Sequence, residues 1–178
     1  GEFDFGLVPA AQAGERAYNL VAVNLELPGV TDADSLAAYA DSGVYMVLRY
    51  DAATQSIVWR LPGLAGTNFA VQVGDAVYLY LDESAPDVLS LVGGVPAIGA
   101  VRHDLVRPPL GASCTYNFIS VPLHRDDLAD ADALAVDIGW VYSVIRYNAE
   151  TQDLTWRLPG VAGENFAVRA GYPYIVCL

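Results

Sequence analysis

Apolar residues alternate with other residues in short runs along this chain, and the pattern is laid down twice. Val21, Val23 and Leu25 keep a period of two, and Ile119, Val121 and Leu123 repeat it. The spacing predicts half-buried strands over residues 18–25 and 116–123. Leu36 and Ala40 stand four apart, as do Leu134 and Ile138. That predicts one short helix in each half, over 32–40 and 130–138, with N-caps from Thr31 or Asp32 and from Asp127. A hairpin follows each helix. In the first half strands at 44–50 and 57–61 flank Asp51-Ala52-Ala53-Thr54-Gln55, and Asn148-Ala149-Glu150-Thr151-Gln152 is the counterpart turn. Asp or Asn opening such a loop suits a type I turn. Ile57, Trp59 and Leu61 share one face of the return strand, as do Leu154, Trp156 and Leu158. This reading places both tryptophans in a core. Further strands are expected from Phe69, Val71 and Val73 and at 77–81 and 174–178. In the first half two more follow, at 88–92 and 100–106, around a turn at Gly93-Gly94-Val95-Pro96.

The two halves are copies. Residues 59–71 return at 156–168 with eleven of thirteen positions identical. Tyr18 matches Tyr116 at a shift of 98 and Arg49 matches Arg146 at a shift of 97, so one residue is lost between them, near the Ser42/Gly139 turn. A loop absorbs such a change, whereas a strand would have every later side chain inverted. Residues 3–8 echo 101–106. The predicted organisation is a first repeat over 1–106, in which 1–8 is equivalent to 99–106, and a second over 107–178 that lacks the counterpart of 82–106. The expected fold is mainly β, with two tandem small β-barrels or sandwiches, each carrying one short helix.

The chain of 178 residues is 54% hydrophobic and 17% charged, a composition that folds. Its net charge of −12 repels nucleic acid and anionic membrane surfaces. No apolar run approaches the roughly 18 residues of a membrane helix. All nine basic residues are arginine. Without lysine there is no Schiff base, no pyridoxal phosphate attachment and no Walker-type phosphate loop. No metal, cofactor or nucleophile–base motif is present either, so the chain is not expected to be an enzyme.

The candidate binding residues are Tyr45, Arg49 and Arg60 with their counterparts Tyr142, Arg146 and Arg157. Tyr45 and Arg49 are expected on one strand face, and Arg60 away from the tryptophan. Tyrosine–arginine rows bind carboxylates, glycans or a partner surface; cross-strand pairing on a solvated face is the plainer reading. Asp32, Asp34, Asp126, Asp127, Asp130 and Asp132 cluster at helix starts. Capping explains them better than calcium, because no spaced loop with a glycine bend is present. His103 and His124 have no recognisable partner pattern.

The order Tyr116-Asn117-Phe118-Ile119-Ser120-Val121-Pro122-Leu123, Arg146-Tyr147-Asn148-Ala149-Glu150-Thr151-Gln152 and Asn165-Phe166-Ala167-Val168 resembles repeat modules of large secreted and surface proteins of bacteria. The resemblance covers nearly the whole chain. It implies an extracellular or cell-surface setting and a supporting or binding role, and it brings no activity and no site residues. Cys114 and Cys177 both belong to the second copy, where the first has Arg16 and Tyr80. Buried thiols and a disulfide are both open on the residues alone; the implied setting favours the disulfide. The expected function is an extracellular structural or adhesive module. Its partners would be other copies of itself or neighbouring repeats, joined head to tail by strand addition into a filament. In one arrangement residues 3–8 are the added strand. In the other they complete the first repeat of their own chain. The alternative is a carbohydrate-binding module using exposed Tyr, Trp and Arg.

Overall fold

The computed structural model describes residues 1–40, 43–109 and 114–178. The first repeat contains β1 (Glu2–Gly6), β2 (Ala17–Ala22), α1 (Ala33–Tyr39), β3 (Val44–Asp51), β4 (Ser56–Leu61), β5 (Ala65–Gly66), β6 (Ala76–Leu81) and β7 (Val88–Val92). The second contains β8 (Tyr116–Ser120), α2 (Ala131–Ile138), β9 (Ser143–Asn148), β10 (Asp153–Leu158), β11 (Ala162–Gly163) and β12 (Pro173–Cys177). Each repeat builds one antiparallel five-stranded sheet, in the orders β2-β6-β3-β4-β5 and β8-β12-β9-β10-β11, so neither closes into a barrel. The matching order follows from the matching alternation and turns. The Ser42 side of the expected one-residue deletion lies outside the described residues.

Each sheet buries one face against its own helix. In the first repeat Val21, Val47, Val77 and Leu79 meet Leu36 and Ala37 of α1 and Phe69. In the second Ile119, Val144 and Val176 meet Leu134, Ala135 and Phe166. The helices are seven and eight residues long, too short to persist alone, so caps and packing hold them. Asp32 accepts from the Ser35 N–H at 2.8 Å, and the Ser35 hydroxyl accepts from the Asp32 N–H at 3.0 Å, a reciprocal cap worth about 1 kcal/mol. Asp130, not Asp127, caps α2 by accepting from the Ala133 N–H at 2.9 Å. The Arg125 guanidinium holds Asp127 instead, at 2.8 Å.

Two predicted strands are replaced. The segment beginning at Phe69 forms no ladder strand: Ala70 makes an isolated bridge to Asp32, as Ala167 does to Asp130, and Val71 donates to the Thr31 carbonyl at 2.9 Å. Residues 100–106 form no strand. The strand that pairs with β7 is β1, in the same chain, with Phe5 opposite Leu89 and Phe3 opposite Leu91. Residues 3–8 therefore open the first repeat. The echo at 101–106 nevertheless holds in detail. Buried Asn19 accepts from the Val8 N–H at 2.7 Å and donates to the Val8 carbonyl at 2.9 Å. Asn117 does the same to Val106, at 2.7 and 3.0 Å.

Candidate functional site at the junction of the repeats

The second face of each sheet meets the other repeat. The edge strand β2 lies against β9 and β12, and the edge strand β8 lies against β3 and β6. Aromatic side chains fill the junction: Tyr50 stacks on Phe118 at 5.0 Å, and Tyr78 meets Phe118 at 5.8 Å and Tyr147 at 5.3 Å edge-on. Burial pushes the Tyr78 hydroxyl well above its usual range and the Tyr147 hydroxyl up to about 12.

Two glutamines lock this junction reciprocally. Each ends a hairpin turn with positive φ, +51° at Gln55 and +56° at Gln152. From that position each side chain bonds both within its own turn, Gln55 donating to the Ala52 carbonyl and Gln152 to the Ala149 carbonyl, and across to the other repeat. Gln55 accepts from the Tyr116 N–H at 2.8 Å and donates to the Tyr116 carbonyl at 3.1 Å. Gln152 accepts from the Tyr18 N–H at 2.8 Å and donates to the Tyr18 carbonyl at 3.0 Å. One side-chain amide thus mimics one residue of an added strand, and it covers the open edge of the opposite sheet. The exchange is the pseudo-two-fold pattern of a self-complementary interface. Its sequence signal was the retention of Gln at the same place in both turns.

The predicted site residues do not form one constellation. Arg60 spends all three donor nitrogens internally: Nε and Nη2 reach Asp34 at 2.8 and 2.6 Å, and Nη1 reaches the Gly66 carbonyl at 3.1 Å. Arg157 repeats this with Asp132 at 2.9 and 2.7 Å and Gly163 at 3.0 Å. The guanidinium hydrogen bond holds each aspartate below the usual carboxylate range. These pairs tie the first turn of each helix to the Pro-Gly loop, which explains why the Trp-Arg-Leu-Pro-Gly run is kept twice. Arg49 lies over the Phe69 ring at 4.7 Å and donates to the Ala70 carbonyl at 2.9 Å. Arg146 lies over Phe166 at 4.9 Å. Tyr45 is parted from Arg49 by a register shift between Val44 and Met46. The extra residue turns its ring toward Tyr80 and under the Arg16 guanidinium, at 4.6 Å. Tyr142 is exposed just before β9.

Both tryptophans occupy corresponding places, but neither is in a core: Trp59 is 42% exposed and Trp156 48%. Each ring packs on a glycine of the short following strand. A Cβ on Gly66 would stand 2.7 Å from a Trp59 ring carbon, and one on Gly163 would stand 2.8 Å from a Trp156 ring carbon. Both glycines also have positive φ, +86° and +85°. Gly66→Ala and Gly163→Ala are each expected to cost more than about 1 kcal/mol, since strain and overlap act together. The check is thermal unfolding; an unchanged melting temperature for both would contradict this packing.

Cys114 and Cys177 form a disulfide with Cα atoms 5.6 Å apart, beside the β8–β12 pairing. A disulfide points to an oxidising compartment. His103 contacts the Ser120 carbonyl through Nε2 at 2.8 Å, and burial lowers its basicity. Among the described residues no His, Cys, Asp and Glu side chains gather as a metal site. No family model matches the chain, and neither does any curated protein or solved structure.

Proposed function

We propose that this chain is a two-repeat unit of an extracellular structural or adhesive array whose neighbours join by strand addition. The carrying observation is an inequality between the repeats. Asn19 presents the opening segment of the first repeat, and β7 pairs with it. Asn117 presents 101–106 in the same manner, yet no strand pairs with that segment among the described residues. A presented, unpaired backbone accepts a strand of β7 character, with apolar residues two apart. The glutamine locks support the reading because they stiffen the unit that would transmit load.

The test is a synthetic peptide of residues 86–94 added to the intact protein. Amide exchange at 101–105 should slow, and any end-to-end assemblies seen in negative stain should shorten. Exchange at 101–105 that ignores the peptide at saturating concentration overturns strand addition. A second reading, carbohydrate binding, is favoured by the solvent-facing sides of Trp59 and Trp156. It predicts glycan-array signals that vanish with Trp59→Ala plus Trp156→Ala.

A further inference from the structure

The pseudo-two-fold axis relates two places at the junction that differ in content. At one, Tyr50 stacks on Phe118 at 5.0 Å and fills the space. At the other, Leu20 stands where Phe118 would be, and Tyr147 turns edge-on to Tyr78 at 5.3 Å. The smaller side chain leaves a cleft of about 570 Å³ between the opening segment, β2 and the second sheet. That is the size of an ordinary small-ligand site.

Charge differs in the same direction. The filled place has Gln72 and Asp75 where the cleft has Arg169 and Tyr172. The open place has therefore gained a guanidinium and lost a carboxylate. Arg146 also lines the cleft, and so does Glu150. Arg146 and Arg169 lie over aromatic rings, Phe166 at 4.9 Å and Tyr172 at 5.8 Å. Unlike those of Arg49, Arg60 and Arg157, neither guanidinium donates a hydrogen bond to any described residue. Glu164 approaches Arg146 only to 3.6 Å, through an exposed carboxylate. The buried Tyr174 hydroxyl accepts from the Arg169 N–H at 2.9 Å and donates to no described residue.

We infer that this cleft binds a carboxylate-bearing sugar, a uronate unit of an acidic glycan. Two guanidinium groups and a tyrosine hydroxyl are donors suited to a carboxylate. Tyrosine rings supply the walls that a sugar ring packs on. An extended peptide is disfavoured because Gln152 already occupies the β2 edge at Tyr18, where a peptide strand would pair. The inference is independent of strand addition and concerns a surface apart from Trp59 and Trp156.

Digalacturonate is the probe, titrated by calorimetry against the intact protein, with an uncharged digalactoside of equal size as control. The expected result is saturable binding of digalacturonate and at least about tenfold weaker binding of the digalactoside. Arg169→Gln, which installs the residue type of the filled place, should weaken binding about tenfold. Leu20→Phe should abolish it by filling the cleft, with the melting temperature kept, since Phe118 shows that the ring is tolerated. No saturable binding of digalacturonate overturns the proposal. So does binding that survives both Arg169→Gln and a folded Leu20→Phe. Binding of an acidic peptide such as tri-glutamate in preference to digalacturonate also overturns it, in favour of a peptide site.

Discussion

Cys114→Ser with Cys177→Ser is expected to lower stability by about 4 kcal/mol, the chain-entropy value for a crosslink spanning 63 residues. The crosslink closes nearly the whole second sheet. It joins the entry to β8 with the end of β12, beside the mutual hydrogen bonds of Thr115 and Leu178 at 3.2 and 3.1 Å. The first repeat has Arg16 and Tyr80 at these places and is consolidated differently: β1 and β7 bury Phe5, Leu89 and Leu91 against its core. Urea unfolding of a Trp59→Phe background, followed by tryptophan fluorescence, reports the second repeat alone. An unchanged midpoint after reduction would show that the second repeat stands without the bond.

Phe5→Ala is expected to cost about 3–5 kcal/mol, the usual range for a fully buried phenylalanine. Phe5 is 3% exposed. It packs on Phe3 at 4.9 Å and on Tyr172 of the second repeat at 5.4 Å, so its loss loosens both β1 and the junction. His103 holds the equivalent place in the second repeat and is only partly buried, so His103→Ala should cost less. Removal of residues 1–9 should lower the melting temperature further than Phe5→Ala. If that deletion leaves melting unchanged, the pairing of β1 with β7 is not what stabilises the first repeat. β1 is thus paired inside its own chain, with β7.

The legible part of the fold was local. Period-two alternation at Val21–Val23–Leu25, helix spacing at Leu36–Ala40 and the Asp51 and Asn148 turns each act within a few residues, so the sequence states them directly. The mainly β class and the single helix per repeat follow. The misplacement of Trp59 has a definite cause. Alternation shows that Trp59 shares a face with Ile57, but both faces of this sheet carry apolar residues. One is covered by α1 and the other by the second repeat. The overlap of the sheets runs over β2, β6 and β3, and it leaves the β4 tryptophan outside. Tyr45 was misplaced for a related reason: one bulged residue reverses the face predicted by counting.

The amino-acid order alone carried the duplication, most of the strands and turns, the equivalence of residues 3–8 and 101–106, and a net charge of −12. Those properties depend on short-range sterics, hydrophobic period and composition. Packing in three dimensions decided that β1 pairs with β7, 82 to 90 positions away in the chain. It also decided that Gln55 and Gln152 close each other's sheet edges, and that Leu20 leaves open what Phe118 fills. Each of these outcomes depends on contacts between segments remote in sequence, where the partner of a backbone amide or an aromatic ring is chosen by the packing of two whole sheets. A duplicated sequence fixes two similar parts; the axis on which they meet fixes which differences between them become a cleft, a lock or an open edge.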